Sequence, residues 1–348
     1  MSPAGGPGGP ILVWGAGAIG GSLGAAFLRA GHEVAFVDSA ADHVAAIREG
    51  GLRIEGPLWQ GTVRAPAMTP AEVEGTFGRV FLCVKALHTR GAAAALAPHL
   101  AADGWVVSAQ NGLNELEIAE AVGADRTVGC FVNFGADYLS PGVVHLSGRG
   151  AVVVGEIDGR ETARIRDVHA LMRDFDPAAV VTDNIWGFLW GKMVYGALLF
   201  GTALTDDSIA DVLDDGAARP VMERLGREVG AVAAAQGTRT EGFDGFDPAA
   251  FRPGASQAAL ERSFAEMVAH NRKSAKTHSG IWRDLAVRKR KTEAEAQLGP
   301  IVAAGERAGL PVPMTRRVIA MIREIEDGRR PLARANLDEL AGAGGMPS

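Results

Sequence analysis

Residues Ile11–Gly20, ILVWGAGAIG, decide the fold of the first half of the chain. Four apolar residues come first, as a strand covered on both faces of a parallel sheet requires. Glycines follow at the spacing GxGxxG, which allows a tight turn, close approach of a pyrophosphate and packing of a helix on the strand. We therefore predict a dinucleotide-binding unit, the alternative being an ordinary glycine-rich turn. The predicted pyrophosphate-binding residues are Gly15, Ala16, Gly17, Ala18, Ile19 and Gly20.

An acidic residue, Asp38, directly follows the second predicted strand, Glu33–Val37. A carboxylate at this position accepts hydrogen bonds from the adenosine ribose hydroxyls and repels a 2′-phosphate. The next three residues, Ser39-Ala40-Ala41, include no arginine that would bind such a phosphate. The sequence therefore favours NAD(H) over NADP(H). The alternative is that Asp38 only caps the helix that begins near Asp42.

Strand and helix patterns continue to alternate up to residue 154. Polar residues follow two of the strands, and ligands bind at the carboxyl ends of strands in doubly wound sheets. Lys85 and Asn111 are therefore candidate cofactor-site residues, and the segment 133–138, NFGADY, is predicted as a polar and aromatic loop. The further predicted strands are Arg79–Val84, Trp105–Ala109, Thr127–Phe134 and Ala151–Val154.

From about Asp183 the strand patterns stop, and helical periodicity continues to about Glu326. The predicted fold is an α/β Rossmann-type N-terminal domain, with a doubly wound and mostly parallel sheet, followed by an all-α C-terminal domain. We expect the helical domain to bind substrate and to form a homodimer. The predicted boundaries are a flexible tail at 1–10, the dinucleotide-binding domain at 11–182, the helical domain at 183–333 and a second tail at 334–348.

The composition excludes several classes of protein. A net charge of −6 gives no electrostatic surface for nucleic acid. No uncharged apolar stretch is long enough to cross a membrane, and the N-terminus lacks the pattern of a signal peptide. The two cysteines lie in apolar runs, which is typical of a reducing compartment, so we expect a cytoplasmic protein. No set of residues has metal-ligand spacing, and we predict no bound metal.

Lys192 is the only charged residue in the stretch Leu189–Leu204, LWGKMVYGALLFGTAL. Removing an unpaired ammonium group from water costs several kcal/mol. Lys192 is therefore a candidate functional group. The alternative is a lysine whose stem covers apolar surface while its amine reaches water.

Six short motifs, in this order and spacing, resemble the ketopantoate reductase (2-dehydropantoate 2-reductase) family over nearly the whole chain. The resemblance implies a nicotinamide-dependent reductase of a 2-oxo acid, in pantothenate biosynthesis. It implies that Lys192 is the general acid, that Glu293 helps to hold substrate and lysine, and that Lys85 and Asn111 lie at the nicotinamide end of the cofactor, Asn111 also near the substrate. The motifs are GAGAIGG at 15–21, CVKA at 83–86, QNGLNE at 110–115, WGK at 190–192, TAL at 202–204 and KTE at 291–293.

The chemistry of ketone reduction agrees with this role for the lysine. Hydride delivery to a ketone carbon leaves a developing alkoxide, which an ammonium group both stabilises and protonates. From the residues alone, Glu293 would instead be a surface partner of Lys289 or Gln297 in a helix rich in arginine and lysine.

The chain departs from the family on the helix that carries Lys192. The family has asparagines four and eight residues after the lysine, and here these positions are Gly196 and Phe200. We therefore expect ketopantoate to be a poor substrate and a 2-oxo acid with a bulkier apolar or aromatic side chain to be a better one. Tyr195 and Gly196 are the substrate-site residues that we predict on this helix.

A second departure precedes Glu293. Asp284 lies one residue further from Glu293 than the family pattern implies, so the substrate serine of the family aligns with Gly280 or Ile281. Ser279 is the predicted replacement, and its alternative role is to cap the following helix. Arg283 is a candidate for binding a substrate carboxylate. The basic run 288–291 is predicted to be a solvated surface.

Two further functions remain open on this sequence. One is an NAD-dependent D-2-hydroxy-acid dehydrogenase acting on branched or aromatic substrates. The other is a nucleotide-sensing homologue without catalysis, which the presence of both Lys192 and Glu293 disfavours.

Overall fold

The computed structural model describes residues 9–273 and 277–343, and the chain divides into two compact units, Met1–Ile185 and Trp186–Ser348. The division falls three residues after the predicted boundary between 182 and 183. Eight residues of the predicted N-terminal tail lie outside the described part of the chain. Each unit is described by itself below.

The first unit contains an eight-stranded and a four-stranded sheet with five α-helices. In chain order its elements are β1 (Ile11–Trp14), α1 (Ala18–Arg29), β2 (Val34–Val37), α2 (Ala41–Gly50), β3 (Leu52–Glu55), β4 (Gly61–Val63), β5 (Ala67–Met68), β6 (Phe77–Leu82), α3 (Thr89–Leu96), β7 (Leu100–Ala109), α4 (Glu115–Val122), β8 (Thr127–Val132), β9 (Gly135–Ser140), β10 (Val143–Gly148), β11 (Val152–Glu156), α5 (Ala163–Phe175) and β12 (Val180–Val181).

The large sheet confirms the predicted doubly wound, mostly parallel architecture. Its strand order is β12-β11-β8-β7-β6-β1-β2-β5, and only β8 and β11 pair antiparallel. Alternate residues of β1 face opposite sides of the sheet: Val13 belongs to one buried apolar cluster and Leu12 to another. Burial on both faces explains why the strand reads as a continuous apolar run.

The chain reverses its winding direction at β1, which lies between β2 and β6 and runs parallel to both. In register, Trp14 is opposite Val37 on one side and Leu82 on the other. The carboxyl ends of the three strands therefore meet at one edge of the sheet. Such a switch point is where doubly wound folds bind their ligands.

The second sheet, of order β4-β3-β10-β9, is absent from the sequence predictions. The prediction of a loop at 133–138 is wrong from residue 135 onward, because Gly135–Ser140 forms β9 and pairs antiparallel with β10. The sheet packs on the first turn of α1, where a Cβ on Gly21 would lie 3.2 Å from Cγ2 of Val144. Gly135 and the polar residues of β9 hid its strand character, since it is an edge strand that is largely open to water.

The second unit is helical, as predicted. Within its described residues the only β-type pairing is an isolated bridge between Phe243 and Phe246. Its helices are α6 (Ile185–Thr202), which begins at the last residue of the first unit, α7 (Ile209–Asp214), α8 (Arg219–Ala235), α9 (Gln257–Lys273), α10 (Gly280–Trp282), α11 (Ala294–Arg307), α12 (Pro313–Glu326) and α13 (Ala335–Ala343).

The last helix, α13, corrects the prediction of a tail at 334–348. Leu337 and Leu340, three residues apart on one helix face, are buried. The side-chain amide of Asn336 donates to the carbonyl oxygen of Leu204 at 2.8 Å. Residues 344–348 lie outside the described part of the chain.

Among the helices of the described residues, none combines the length and the apolar character that crossing a membrane demands.

Candidate active site

The glycine loop after β1 has the geometry of a pyrophosphate site. Gly15 has φ +101°, and a Cβ there would lie 2.8 Å from the backbone of Cys83 and Val84. A Cβ on Gly20 would lie 2.0 Å from the carbonyl oxygen of Gly15. Gly17, in contrast, has open space beside it. The loop thus exposes bare backbone at the N-terminus of α1, where unpaired N–H groups and the helix dipole attract an anion, so the residues present fit a dinucleotide.

Asp38 links this loop to the start of α2. One carboxylate oxygen accepts the N–H of Ala16 at 2.9 Å, and the other accepts the N–H of Ala40, the residue that precedes α2, at 2.9 Å. The hydrogen bond from Ala40 resembles the alternative role predicted for Asp38, in which it caps the start of α2. A carboxylate offers about four acceptor positions, and the half-buried Asp38 retains capacity for ribose hydroxyls.

His43 also supports the loop and has no signal in the sequence. Its buried ring lies between the backbones of two distant segments. The N–H of Gly142 donates to Nδ1 at 2.8 Å, which makes Nε2 the protonated nitrogen, and Nε2 donates to the carbonyl oxygen of Ala16 at 2.9 Å. Both ring nitrogens are therefore satisfied in the neutral form.

A buried amide network joins the loops that carry Lys85 and Asn111. The side-chain amide of Gln110 donates to the carbonyl oxygen of Val84 and to the hydroxyl of Thr89, each at 2.8 Å. The Thr89 hydroxyl donates to the side chain of Asn114 at 3.0 Å, and the Asn114 amide donates to the carbonyl oxygen of Asn111 at 2.8 Å.

These contacts give the QNGLNE motif a physical role. Gln110 and Asn114 are buried and position the backbone, whereas Lys85 is half-buried and Asn111 exposed. The two predicted cofactor residues are the ones that remain accessible. Sequence reasoning found them and missed the residues that hold them, because buried amides in a loop leave no periodic pattern.

Glu115, the last residue of this motif, is 1% exposed at the first turn of α4. Both of its carboxylate oxygens are buried, and neither has a hydrogen bond of full geometry, although Ser108 and the backbone of Cys130 lie close enough to favour the ionised form. Burial dominates and raises the pKa of Glu115 from 4.5 to about 8. The group therefore keeps its proton at neutral pH.

Helix α6 is buried on most of its surface. Lys192 lies on a face of the helix that is only half-buried. From Phe188 to Phe200, the half-buried residues recur at helical spacing on one face, and the rest are buried. These half-buried residues are Phe188, Lys192, Tyr195, Gly196 and Leu199. The structure thus brings three predicted residues, Lys192, Tyr195 and Gly196, onto one accessible stripe.

Tyr195 is anchored within this stripe. Its hydroxyl accepts a hydrogen bond from the side-chain amide of Asn271 on α9 at 3.1 Å, and its ring packs 5.1 Å from that of Phe246. Burial is the main cause that raises the pKa of Tyr195. The ring therefore has a fixed position beside Lys192, and its hydroxyl stays protonated.

The two positions that depart from the family differ in the structure. Gly196 has open space where a side chain would stand. Phe200 is 0% exposed and is a core residue of the second unit, so its ring contributes no surface to an accessible pocket and does not support the predicted preference for bulkier substrates. The i+8 position has rotated far enough from Lys192 to face the core, since eight residues exceed two full turns.

A π-helical turn, Arg283–Val287, lies in the segment before Glu293 where the spacing is one residue longer than the family pattern implies. A π turn holds one more residue than an α turn. Ser279 precedes this helical segment, and its buried hydroxyl accepts the N–H of Trp282 at 3.1 Å, which is the capping alternative. Arg283 is half-buried in the turn.

The basic run 288–291 is exposed, as predicted, and two of its arginines also bind a buried carboxylate. Arg288 and Arg290 both donate to the buried carboxylate of Asp284 at 2.9 Å. Glu293 is not in an arginine-rich helix either, because 288–292 is non-helical and Glu293 is the half-buried N-cap residue of α11. The charge pattern suggested a helix in this segment. In the structure, two ion pairs to the carboxylate of Asp284 hold the non-helical segment instead.

No group of three or more His, Cys, Asp and Glu side chains that could hold a metal ion occurs within residues 9–273 and 277–343.

Comparisons with known proteins agree over both units. The family description "Ketopantoate reductase PanE/ApbA" matches residues 11–159, and its C-terminal counterpart matches residues 184–326. The chain is 28% identical to the 2-dehydropantoate 2-reductase of Halobacterium salinarum, over 90% of this chain and 97% of that protein.

Solved structures show the same similarity. A PanE/ApbA family ketopantoate reductase from Ralstonia eutropha superposes with a TM-score of 0.77 at 27% identity, covering 92% of this chain and 99% of that one. A D-mandelate dehydrogenase, solved with NADH and anilino(oxo)acetate, has a TM-score of 0.79 at 21% identity over the same shares, which shows a common fold. With the family description matched on both units, the chain belongs to the ketopantoate reductase family of oxidoreductases.

Proposed function

We propose that the protein reduces the ketone of a small 2-oxo acid, as a ketopantoate reductase does, with NADH as cofactor and Lys192 as the proton donor. The observation that carries the proposal is the position of Lys192, the one charged residue in α6, on the half-buried stripe of a helix that is otherwise buried. An ammonium group that is partly shielded from water interacts strongly with developing negative charge.

Each group has a separate role in the proposed reaction. The glycine loop with Asp38 would hold the adenosine end of a dinucleotide, whose nicotinamide would supply the hydride. Lys192 donates its proton to the carbonyl oxygen as the alkoxide develops, and is reprotonated from water. Tyr195 adds a fixed hydroxyl on the same stripe, and Glu293, as the family resemblance implies, holds the lysine and the substrate.

Lys192→Ala should lower kcat by about 10²–10⁴, the usual cost of losing a general acid. The Kd for NADH should change less than twofold, because the glycine loop and Asp38 are intact. Steady-state kinetics on the best 2-oxo acid and calorimetric titration with NADH measure the two quantities separately.

Lys273→Ala is the matched control, since Lys273 is an exposed lysine at the end of α9. It should leave both kcat and Kd near the wild-type values. Turnover of Lys192→Ala within threefold of wild type would remove Lys192 from the mechanism.

NADH should be preferred over NADPH. The carboxylate of Asp38 accepts ribose hydroxyls and repels a 2′-phosphate, and no arginine follows it in 39–41. Measuring kcat/KM for both cofactors on one substrate decides the point, and a higher value with NADPH would show that Asp38 serves only the backbone contacts to Ala16 and Ala40.

A further inference from the structure

Tyr138 lies on the face of the small sheet that covers α1. It is directly opposite Val144 in the antiparallel pair of β9 and β10, and directly opposed residues project to the same face. Val144 is fully buried and lies against the first turn of α1, next to Gly21. Tyr138 therefore faces the same way, yet it is 39% exposed.

The ring of Tyr138 is held near the glycine loop. It packs edge-on against His43, with the ring centroids 5.1 Å apart and the planes at 72°. His43 in turn donates to the carbonyl oxygen of Ala16, within the loop. The ring of Tyr138 is thus held in place beside the glycine loop while it stays partly open to water.

Two carboxylates lie near the same ring. Burial raises the pKa of Tyr138, and the negative charges of Asp42 and Asp38 raise it further. Asp42 is exposed on the first turn of α2, where it accepts the N–H of His43 at 2.9 Å. The geometry agrees: Asp38 accepts the N–H of Ala16, whose carbonyl oxygen binds His43, and Asp42 accepts the N–H of His43, which packs on Tyr138.

We propose that Tyr138 and Asp42, together with Asp38, form the wall of the dinucleotide site that receives the adenosine ribose. This inference rests on the proposed NADH dependence and assigns its selectivity to three residues. The ring supplies a flat apolar surface for the sugar. The paired carboxylates accept hydrogen bonds from its hydroxyls and repel a 2′-phosphate more strongly than one carboxylate alone.

Tyr138→Ala should weaken the binding of both NADH and ADP-ribose about five- to tenfold, measured by isothermal titration calorimetry. Tyr138→Phe keeps the ring and should bind within about twofold of wild type. The matched control is Leu139→Ala, since Leu139 is the adjacent exposed residue of β9 and has no partner in the register with β10. It should change neither Kd.

Asp42→Asn tests the carboxylate separately from the ring. An amide oxygen still accepts the N–H of His43, so the start of α2 is preserved. The ratio of the Kd for NADPH to that for NADH should fall at least threefold at low ionic strength, where charge repulsion is least screened. This variant also carries the test if Tyr138→Ala lowers the melting temperature.

The outcomes separate the two proposals. A wild-type protein that binds neither NADH nor ADP-ribose would overturn the proposed function and this inference together. A wild-type protein that binds both, with Tyr138→Ala unchanged in affinity or Asp42→Asn unchanged in its cofactor ratio, would overturn the inference alone.

Discussion

Glu115 is a carboxyl group that folding keeps protonated, and this has a cost that depends on pH. Burial raises its pKa from 4.5 to about 8, whereas in the unfolded chain the group ionises near 4.5. Between these values the folded state binds one proton more than the unfolded state, so stability falls as pH rises. The fall is about 1.4 kcal/mol per pH unit for this group. Above about pH 8 the loss is complete.

Glu115→Gln should remove this slope, because an amide of the same shape does not titrate. The free energy of unfolding of the variant, relative to wild type, should rise steadily from pH 5 to pH 8 in urea titrations. Glu120→Gln on the exposed side of α4 is the control and should leave the wild-type slope in place. Equal slopes for wild type and Glu115→Gln would mean that Glu115 is ionised in the folded state at neutral pH.

At the scale of one element, α6 shows how a helix presents a reactive group. Its apolar faces are covered, and its half-buried stripe carries an ammonium, a hydroxyl and a gap at Gly196. The gap stands where the family has an amide. If this stripe binds the substrate as proposed, a substrate hydroxyl has no partner at Gly196, and an unpaired buried hydroxyl is costly. The same gap leaves room for a larger side chain.

We therefore predict that branched and aromatic 2-oxo acids have higher kcat/KM than ketopantoate. Gly196→Asn should raise kcat/KM for ketopantoate up to about tenfold relative to the bulky substrates, the range of one neutral hydrogen bond. Gly342→Asn, at an exposed glycine of α13 that also has open space beside it, is the control. Ketopantoate as the best substrate of the wild type would show that other groups have replaced the asparagines.

Other elements show why sequence reasoning reached some parts of the site and not others. The strand β1 and its glycines were predicted because parallel strands and tight turns restrict residue type at each position. The π turn Arg283–Val287 was detected only as a spacing one residue too long. Arg288 and Arg290 bind Asp284, which lies within this turn. No local sequence pattern reveals that Asp284 is buried.

At the scale of the whole molecule, the order of strands and helices was predictable and the second sheet was not. β3 and β10 pair in parallel although Arg53 and Val143 are far apart in sequence. A pairing of this kind is set by tertiary packing on α1, which overrides the weak strand propensity of short, polar segments. For the same reason the sequence does not predict Tyr138 as a strand residue, since it lies in the segment 133–138 that is predicted as a loop.

The position of His43 has a consequence for how the chain folds while it is being synthesised. It accepts from Gly142, 99 residues later in the chain, and donates to Ala16, near the start. Contacts this distant form late, since the loop between them must close first. A nascent chain that has exposed only the first hundred residues can already contain β1 and α1, but the nucleotide loop gains its full support only after Gly142 has left the ribosome. The first motif to be translated therefore waits for a residue well over a hundred positions later before its support is complete.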